Sequence, residues 1–457
     1  MREKNNKKLI NLKEEVNIPR HNNLLELFFR QFEIENTEFN LYGKKNILLS
    51  SLKDPKNQFS WSKTFFSIKK LSKEIKKYTN KGNRCLLISE NRPEWFISDL
   101  SIMLSGSITV PAYTTYTERD YQYIIDDCTP SIVFVSNMEQ FNKVKNIIQN
   151  NSSIKKIFTF EKLDGVDQND YKNINDFFLN FEHKTFERSD EFPQINLVRK
   201  DPACIIYTSG TQGNPKGVVL SHGGILNNCA GAFRILEPLL KSRQIKFLTW
   251  LPLSHSYEHT VQFVQISVGA QIYYAESIEK LIKNMNDCKP EIMTAVPRFY
   301  QNLYQKINVS FNKAKGLRKI LILKMLSLGL KKIKKEKISF FEKIQNQILD
   351  KIVRKKIKAQ FGGSLKTFVS GGGALDREVG FFLNAIGLPT LQGYGLTETS
   401  PVVSCNPIDD IRVETVGPPF DGNEVKIAED GEILIKGENV MLGYWNNQEE
   451  TDKVLKN

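Results

Sequence analysis

The fold of this 457-residue chain is indicated most directly by the stretch Ala203-Cys-Ile-Ile-Tyr207-Thr208-Ser-Gly-Thr-Gln-Gly-Asn-Pro-Lys216-Gly-Val-Val-Leu220. Apolar runs at both ends predict buried strands, and the loop between them consists mostly of Thr, Ser, Gly and Lys. Small residues let a ligand approach the backbone, while N–H groups, hydroxyls and one ammonium supply donors. The loop therefore predicts a phosphate site. Pro215 before Lys216 and Gly217 after it exclude the Walker-type P-loop.

Two further glycine-rich motifs follow in the chain. Thr367–Ser370 predicts a strand that ends in Gly371-Gly372-Gly373-Ala374, where the missing side chains would let a flat ring or an acyl carbonyl lie against the backbone. The second motif is Gln392-Gly393-Tyr394-Gly395-Leu396-Thr397-Glu398-Thr399. In this order, the three motifs resemble the phosphate loop and core motifs of the adenylate-forming superfamily, which includes acyl-CoA synthetases, luciferases and peptide-synthetase adenylation domains.

The resemblance covers nearly all of the chain and implies an AMP-forming acyl-CoA synthetase of the long-chain fatty-acid–CoA ligase branch. It implies ATP, Mg²⁺ and coenzyme A, with Tyr394 stacked on adenine, Thr397 at the α-phosphate, and Glu398 and Thr208 at the metal. The implied catalytic residues are Thr208, Lys216, His255 and Glu398. The implied nucleotide-binding residues are Thr208, Ser209, Gly210, Thr211, Gly213, Lys216, Gly371, Gly372, Gly373, Gln392, Gly393, Tyr394, Gly395 and Thr397. Attack of a carboxylate on phosphorus brings two anions together, which explains the need for a metal ion and fixed donors.

The segment from Leu251 to His259 has two interpretations. It contains H-x-x-E-H, the signature of one group of zinc peptidases, which would place His255 and His259 on one helical face with a third ligand downstream. Pro252 just upstream and a total of five His in the chain count against that interpretation. In the resembled family, the segment follows a strand and lines the acyl site, with His255 near the carboxylate.

Apolar periodicity predicts an α/β fold. A helical pattern precedes the strand Cys85–Ile88, and the helix Arg92–Leu104 leads to the strand Ile108–Val110, which indicates β-α-β units with a parallel sheet. We expect two stacked β-α subdomains in an αβαβα layering, at residues 1–200, with a polar connection from 150 to 201, and at residues 201–400. Alternation around Asp430-Gly431 predicts a hairpin in a small, partial antiparallel β subdomain at residues 401–457.

Composition limits the function classes. The formal charge of +13, which we attribute to Lys spread along the chain, favours anionic partners such as nucleotide, coenzyme A or acidic lipid. Nucleic acid is not expected, because no zinc-finger, aromatic RNA-binding or basic-zipper pattern is present. Six Cys without a C-x-x-C pair fit reduced thiols. No signal-peptide core or bilayer-length apolar run occurs, so we expect a cytoplasmic protein.

A long basic insertion spans residues 307–362. Apolar residues at roughly helical spacing lie among many lysines and predict a basic amphipathic helix pair; they are Leu317, Ile320, Leu321, Met325 and Leu328. Two interpretations stay open: a solvated hairpin packed on its domain, or contact with an anionic membrane through residues 313–337. Resemblance to the long-chain branch favours the second, and with it a peripheral location on the inner face of the membrane.

Members of the resembled family continue beyond the motif Gly443-Tyr444-Trp445. They carry an Asp for the ribose hydroxyls, then a hinge, then a small α+β domain that supplies the adenylation Lys. Because the sequence given ends at Asn457, we expect the phosphate loop and acyl pocket to be present and both half-reactions to be slow. The alternative from a different class is an inactive module that binds acyl chains or nucleotide.

Overall fold

A computed structural model describes residues 20–42, 47–178, 191–208, 215–240 and 245–456. The first of two eight-stranded sheets contains β3 (Arg84–Ile88), β4 (Ile108–Ala112), β5 (Ile132–Val135), β6 (Lys156–Thr159), β7 (Tyr171–Asn173), β8 (Pro202–Thr208), β9 (Lys216–Ser221) and β18 (Gly443–Tyr444). Their spatial order is β18-β9-β8-β4-β3-β5-β6-β7. Strands β3 to β8 pair in parallel, and β9 is antiparallel to both β8 and β18.

The second sheet contains β1 (Ile47–Ser51), β2 (Gln58–Ser60), β10 (Lys246–Thr249), β11 (Gln271–Tyr274), β12 (Ile292–Ala295), β13 (Thr367–Ser370), β14 (Thr390–Gly395) and β15 (Val402–Cys405). Their spatial order is β15-β14-β13-β12-β10-β11-β1-β2. The edge strands β2 and β15 are antiparallel to their neighbours, and the other pairs are parallel. Strands β16 (Glu424–Ile427) and β17 (Ile433–Lys436) form a separate antiparallel hairpin.

The helices connect these strands and cover both sheets. They are α1 (Leu24–Tyr42), α2 (Trp61–Ile75), α3 (Pro93–Ser105), α4 (Glu118–Cys128), α5 (Met138–Gln149), α6 (His222–Leu236), α7 (Ser256–Ser267), α8 (Leu281–Cys288), α9 (Pro297–Asn312), α10 (Gly316–Ile333), α11 (Phe340–Leu349), α12 (Lys355–Ala359), α13 (Arg377–Ala385) and α14 (Gln448–Val454).

Alternating side chains of the strands divide the apolar core into layers. In β3, Cys85 and Leu87 join the largest core cluster, whereas Leu86 and Ile88 join the cluster on the opposite face. This division follows the two-residue period of a strand. The largest cluster also contains residues of β10 and β11 from the second sheet, together with α2, α3, α6 and α7. These helices therefore form a layer that both sheets share, as the predicted αβαβα order requires.

Two helices of the shared layer are buried on every side. Every residue of α3 and of α7 is buried, which is the pattern of a helix enclosed by protein. Pro93 is tolerated in the first turn of α3, because a backbone N–H at this position would have no hydrogen-bond partner within the helix. Gly106 ends the helix in the left-handed conformation. The strand–helix–strand prediction for residues 85–110 is confirmed within a few residues.

The predicted boundary near residue 200 does not separate the two sheets. Strands β1 and β2 lie before it but belong to the second sheet, whereas β8 and β9 lie after it but belong to the first. The stretch from 150 to 201, which we expected to be only a connection, also contains β6 and β7. The sequence pattern did not reveal these short strands, because they contain polar residues. Both strands lie near the edge of the sheet and their side chains are only partly buried.

The C-terminal segment is divided among three sheets. The predicted hairpin around Asp430-Gly431 is confirmed, with Glu424 opposite Lys436 and Ile427 opposite Ile433. However, β15 extends the second sheet and β18 extends the first, so residues 401–457 are not one β subdomain. As a result, this segment links the two large sheets.

The basic insertion contains more than the predicted helix pair. It comprises the end of α9 followed by α10, α11 and α12, with a π-helical turn at Asp350–Arg354 joining the last two. Its apolar residues do not form one buried stripe, since Met325 and Leu328 are fully buried but Leu317 and Ile320 are 71% and 62% exposed. Gly329 of α10 lies against α13, where a Cβ on this glycine would lie 2.4 Å from the carbonyl oxygen of Ala385. Among the described residues, no helix combines the length and the apolar composition needed to cross a bilayer.

Candidate active site

The predicted phosphate loop joins β8 to β9. Thr208 ends β8 and faces Lys216, the first residue of β9, across an antiparallel pair. Ser209, Gly210, Thr211 and Gly213 lie outside the described residues. Both strands are apolar and buried along most of their length, so the hydroxyl of Thr208 and the ammonium of Lys216 are held at the same end of the first sheet.

Tyr444 connects Lys216 to Glu398. Because β18 pairs with β9, Tyr444 stands opposite Val218. Its ring centroid lies 5.0 Å from the Lys216 ammonium, and its hydroxyl donates a hydrogen bond of 2.8 Å to Glu398 Oε1. Burial is the largest cause that raises the pKa of Tyr444, followed by the bond to Glu398. The structure therefore brings the predicted phosphate-binding cation and the predicted metal ligand to one aromatic side chain.

Lys216 also forms an ion pair with Glu450 in α14. The hydrogen bond from Lys216 is the largest cause that lowers the pKa of Glu450 to about 2, and Lys453 adds to it. Both partners are about one-third exposed, so water screens the pair and its contribution to stability is small.

The predicted platform of glycines lies at the ends of β13 and β14. Ser370 pairs with Gln392, which places Gly371 beside Gly393. A Cβ on Gly371 would lie 2.8 Å from the ring of Tyr257, and a Cβ on Gly395 would lie 1.8 Å from the carbonyl oxygen of Pro401. Side chains at either position would thus collide with groups that line the site, whereas glycine leaves the backbone accessible.

Gln392 has a supporting position. Its Oε1 accepts a 2.6 Å hydrogen bond from the N–H of Leu375, and its Nε2 donates to the carbonyl of Thr415 at 3.2 Å. With Gly372, Gly373, Gly393, Tyr394 and Gly395 it lines a shallow pocket at the mouth of the site. The side chain therefore holds the loop after Gly373 in place.

A narrow apolar cavity begins beside this platform. It has a volume of about 110 Å³ and runs between α6, α7 and the second sheet. Seven of the predicted residues line it: His255, Gly371, Gly372, Gly393, Tyr394, Gly395 and Thr397. The hydroxyl of Thr397 lies 3.1 Å from that of Ser256, and the next residue is Glu398, so the cavity and the Lys216–Tyr444–Glu398 group meet at this turn.

His255 caps the N-terminus of α7. Its Nδ1 accepts a 3.1 Å hydrogen bond from the N–H of Tyr257, and the residue lines the cavity. Because Nδ1 is an acceptor, the neutral ring carries its proton on Nε2. His255 can therefore offer one N–H donor to a ligand in the cavity.

The second histidine of the H-x-x-E-H motif points into the core. His259 Nε2 lies 2.9 Å from Asp99 Oδ2, and its Nδ1 lies 3.6 Å from Cys204 Sγ, all without exposure. Burial is the largest single influence and lowers the pKa of His259, but Asp99 and Cys204 together outweigh it and raise this pKa to about 10. Burial also raises the pKa of Glu258, which accepts a hydrogen bond from Thr294, to about 8.

The two histidines of the H-x-x-E-H motif do not face a common site. His255 lines the cavity, whereas His259 is paired with Asp99 in the core. Within the described part of the chain, no group of three or more His, Cys, Asp or Glu side chains could hold a metal ion. The motif therefore provides no zinc ligand set here.

Comparison with known proteins identifies the family. The family model described as "AMP-binding enzyme" matches residues 43–445, which is most of the chain. The chain belongs to the AMP-binding enzyme family. The matched region of this AMP-binding enzyme contains the loop strands, the glycine platform and Tyr444.

Relatives of this AMP-binding enzyme include acyl-CoA ligases. It is 27% identical to Long-chain-fatty-acid–CoA ligase FadD15 of Mycobacterium bovis, over 82% of this chain and 61% of that protein. It is 29% identical to Fatty acyl-CoA synthetase A of Dictyostelium discoideum, over 82% of this chain and 57% of that protein. The chain thus spans about three-fifths of the length of these curated relatives.

Solved structures share the fold. Apo MatB from Rhodopseudomonas palustris superposes with a TM-score of 0.68 at 20% identity, covering 95% of this chain and 74% of that one. O-succinylbenzoate coenzyme A synthetase (MenE) from Bacillus subtilis, in complex with AMP, has a TM-score of 0.63 at 17% identity, covering 93% and 92%. At such identities the likeness concerns the fold.

Sequence reasoning missed four side chains that organise the site of this AMP-binding enzyme. They are Asp99, Ser256, Tyr444 and Glu450. Tyr444 had a usable signal, because it stands between a glycine and a tryptophan in a short motif. Asp99 had none, since a single carboxylate within an apolar helix does not reveal its partner 160 residues away.

Proposed function

We propose that this AMP-binding enzyme activates a long-chain fatty acid with ATP to the acyl-adenylate and then to acyl-CoA. The observation that carries the proposal is the meeting of two groups of residues at one turn. Lys216 and Glu398 share Tyr444, while Thr397 and His255 line the apolar cavity. Cationic, acidic and hydroxyl groups at the mouth of an apolar cavity suit a triphosphate and an acyl chain.

Each side chain of the site has a separate role in the proposed adenylation step. Lys216 neutralises phosphate oxygens after leaving Glu450, Tyr394 and the glycine platform take the adenine ring, and Thr397 donates to the α-phosphate. His255 donates its Nε2–H to the carboxyl group at the cavity mouth. Glu398 and Thr208 supply the oxygen ligands that Mg²⁺ prefers, and this metal would offset the charge that develops on the phosphoryl oxygens.

The cavity constrains the length of the acyl chain. Its volume of about 110 Å³ is smaller than the roughly 300–1,000 Å³ of typical ligand pockets. Phe420 lines the cavity, and its ring fills the space that a side chain on Gly231 of α6 would occupy. A long acyl chain therefore requires the Phe420 ring and neighbouring side chains to move. We propose a long chain because relatives of this protein are named as long-chain fatty-acid ligases.

Exchange of pyrophosphate into ATP tests this function. The assay is run on this chain and on a fusion with the C-terminal domain of a relative, with acids from acetate to oleate. We expect exchange in the fusion that depends on Mg²⁺ and is fastest with long-chain acids. Absence of exchange with every acid would contradict the proposal and favour an inactive binding module. Preference for short acids would contradict only the chain length.

We also propose peripheral contact of the insertion with an anionic membrane. Residues 313–358 contain 16 Lys and Arg against three Asp and Glu, a net charge of +13. The remaining chain has 48 of each sign, so the charge is not spread along the chain as we had expected. The same insertion exposes large apolar side chains, including Phe340 and Phe341 at 73% and 76%. Cations around exposed aromatic rings are the composition of an interfacial helix.

Vesicle binding tests the membrane contact. Replacing both phenylalanines (Phe340→Ala with Phe341→Ala) should raise the dissociation constant for phosphatidylglycerol vesicles at least about tenfold, because their apolar area can no longer enter the bilayer. The control replaces exposed apolar residues of the hairpin, Ile427→Ala with Ile433→Ala. Equal binding of both double variants, or equal affinity for vesicles of zwitterionic phosphatidylcholine, would contradict the proposal.

A further inference from the structure

A second cavity opens on the insertion. It has a volume of about 650 Å³ and is formed mainly by α9, α10 and α12 with the π-helical turn. We call it the surface groove. It shares no lining residue with the cavity beside the glycine platform. Its volume lies within the range of roughly 300–1,000 Å³ that is typical of small-molecule sites.

The floor of the surface groove is apolar and buried. Leu303 and Ile307 of α9, Ile322 of α10, and Ile357 and Phe361 form it, each no more than 6% exposed. At the rim, three large apolar side chains face solvent: Leu317 is 71%, Ile352 is 45% and Ile282 is 39% exposed. The groove therefore offers an extended apolar surface that continues into the exposed apolar face of the insertion.

The charges on the surface groove have one sign. Lys306, Arg318 and Lys356 come from three different helices and all line it, whereas none of its lining residues is Asp or Glu. Among the described residues, no ion pair is formed by any of these three cations. A ligand that is complementary to the surface groove needs an apolar part for the floor and one anionic group for the cations.

We propose that the surface groove binds the fatty-acid substrate as its carboxylate anion, at a site separate from the active site and beside the membrane-contacting face. This inference rests on the substrate class proposed above. A single acyl chain covers the apolar floor, and its carboxylate reaches the cations at the rim. The free fatty acid is the occupant that we favour, because it combines one apolar chain with one anionic group and belongs to the substrate class proposed above.

Binding of cis-parinaric acid, a fluorescent long-chain acid, tests the proposal. The active site is first saturated with an acyl-sulfamoyl adenosine, so that the remaining fluorescence reports other sites. Ser310 lines the groove and is exposed, so Ser310→Trp fills the groove without disturbing the core. Gln305→Trp, also exposed on α9 but outside the groove, is the matched control. For the charges, Arg318→Gln with Lys356→Gln is compared with Lys319→Gln with Lys355→Gln.

The wild-type chain should retain one equivalent of parinaric acid under these conditions. Ser310→Trp and the Arg318/Lys356 double variant should each weaken this binding at least about tenfold, and both controls should bind like wild type. The proposal is overturned if no acid remains bound to the blocked wild type, if Ser310→Trp binds normally, or if the methyl ester binds as tightly as the acid. It is also overturned if phosphatidylglycerol displaces the acid at lower concentration than oleate does.

Failure of the proposed function gives a different result. In that case the fusion shows no exchange of pyrophosphate into ATP with any acid, while the difference in parinaric acid binding between Ser310→Trp and Gln305→Trp persists. The two hypotheses can therefore fail separately.

Discussion

Exchange of pyrophosphate into ATP should fall at least about 100-fold in Glu398→Gln, measured in the fusion with a relative's C-terminal domain. The amide removes the negative charge that we assign to Mg²⁺, and losing one group that stabilises transition-state charge typically costs about 10²–10³ in rate. Gln can still accept the hydrogen bond that Tyr444 donates to Glu398. The fold of the site should therefore survive.

Glu429→Gln is the control for this variant, because Glu429 is an exposed carboxylate near the hairpin turn. Both variants should melt at the temperature of the unchanged protein. Exchange in Glu398→Gln within threefold of wild type would show that Glu398 is not the metal ligand. A rate that recovers at higher Mg²⁺ concentration would instead support that assignment.

Asp99→Asn should lower the free energy of unfolding by about 3–5 kcal/mol. Asp99 and His259 are fully buried and 2.9 Å apart, joining α3 to α7 in the layer between the sheets. Removing one partner leaves the other as an uncompensated buried charge, and such changes cost about that amount. The alternative is that His259 loses its proton, because burial lowers its pKa and the variant lacks the Asp99 carboxylate, the largest of the influences that raise it.

Chemical denaturation followed by tryptophan fluorescence measures this effect. Trp95 is a local reporter, since its ring centroid lies 5.5 Å from that of His259. Asp126→Asn, at an exposed carboxylate of α4, should change stability by less than about 0.5 kcal/mol. A loss below about 1 kcal/mol in Asp99→Asn would mean that the buried pair is not ionised. Replacing both partners, Asp99→Leu with His259→Phe, should restore much of the stability.

Local patterns in the sequence account for the individual elements. The alternation around Asp430-Gly431 predicted the hairpin, and the apolar run before Thr208 predicted β8. These signals succeed because turn chemistry and side-chain period depend only on neighbouring residues. The short strands β6 and β7 were missed because β7 lies at the edge of the sheet, both are only partly buried, and neither carries a long apolar run.

The sequence by itself thus indicated the family, the strands on either side of the glycine-rich loop, the strand that ends in Gly371 to Gly373 and the position of the basic insertion. Tertiary structure alone decided which strands share a sheet, which of the two histidines faces the cavity, and which partners the charged groups take. Tyr444 meets Glu398 across 46 positions, and Asp99 meets His259 across 160. A residue's neighbours in the chain carry no information about such contacts, because the packing of the two sheets around their shared helices creates them.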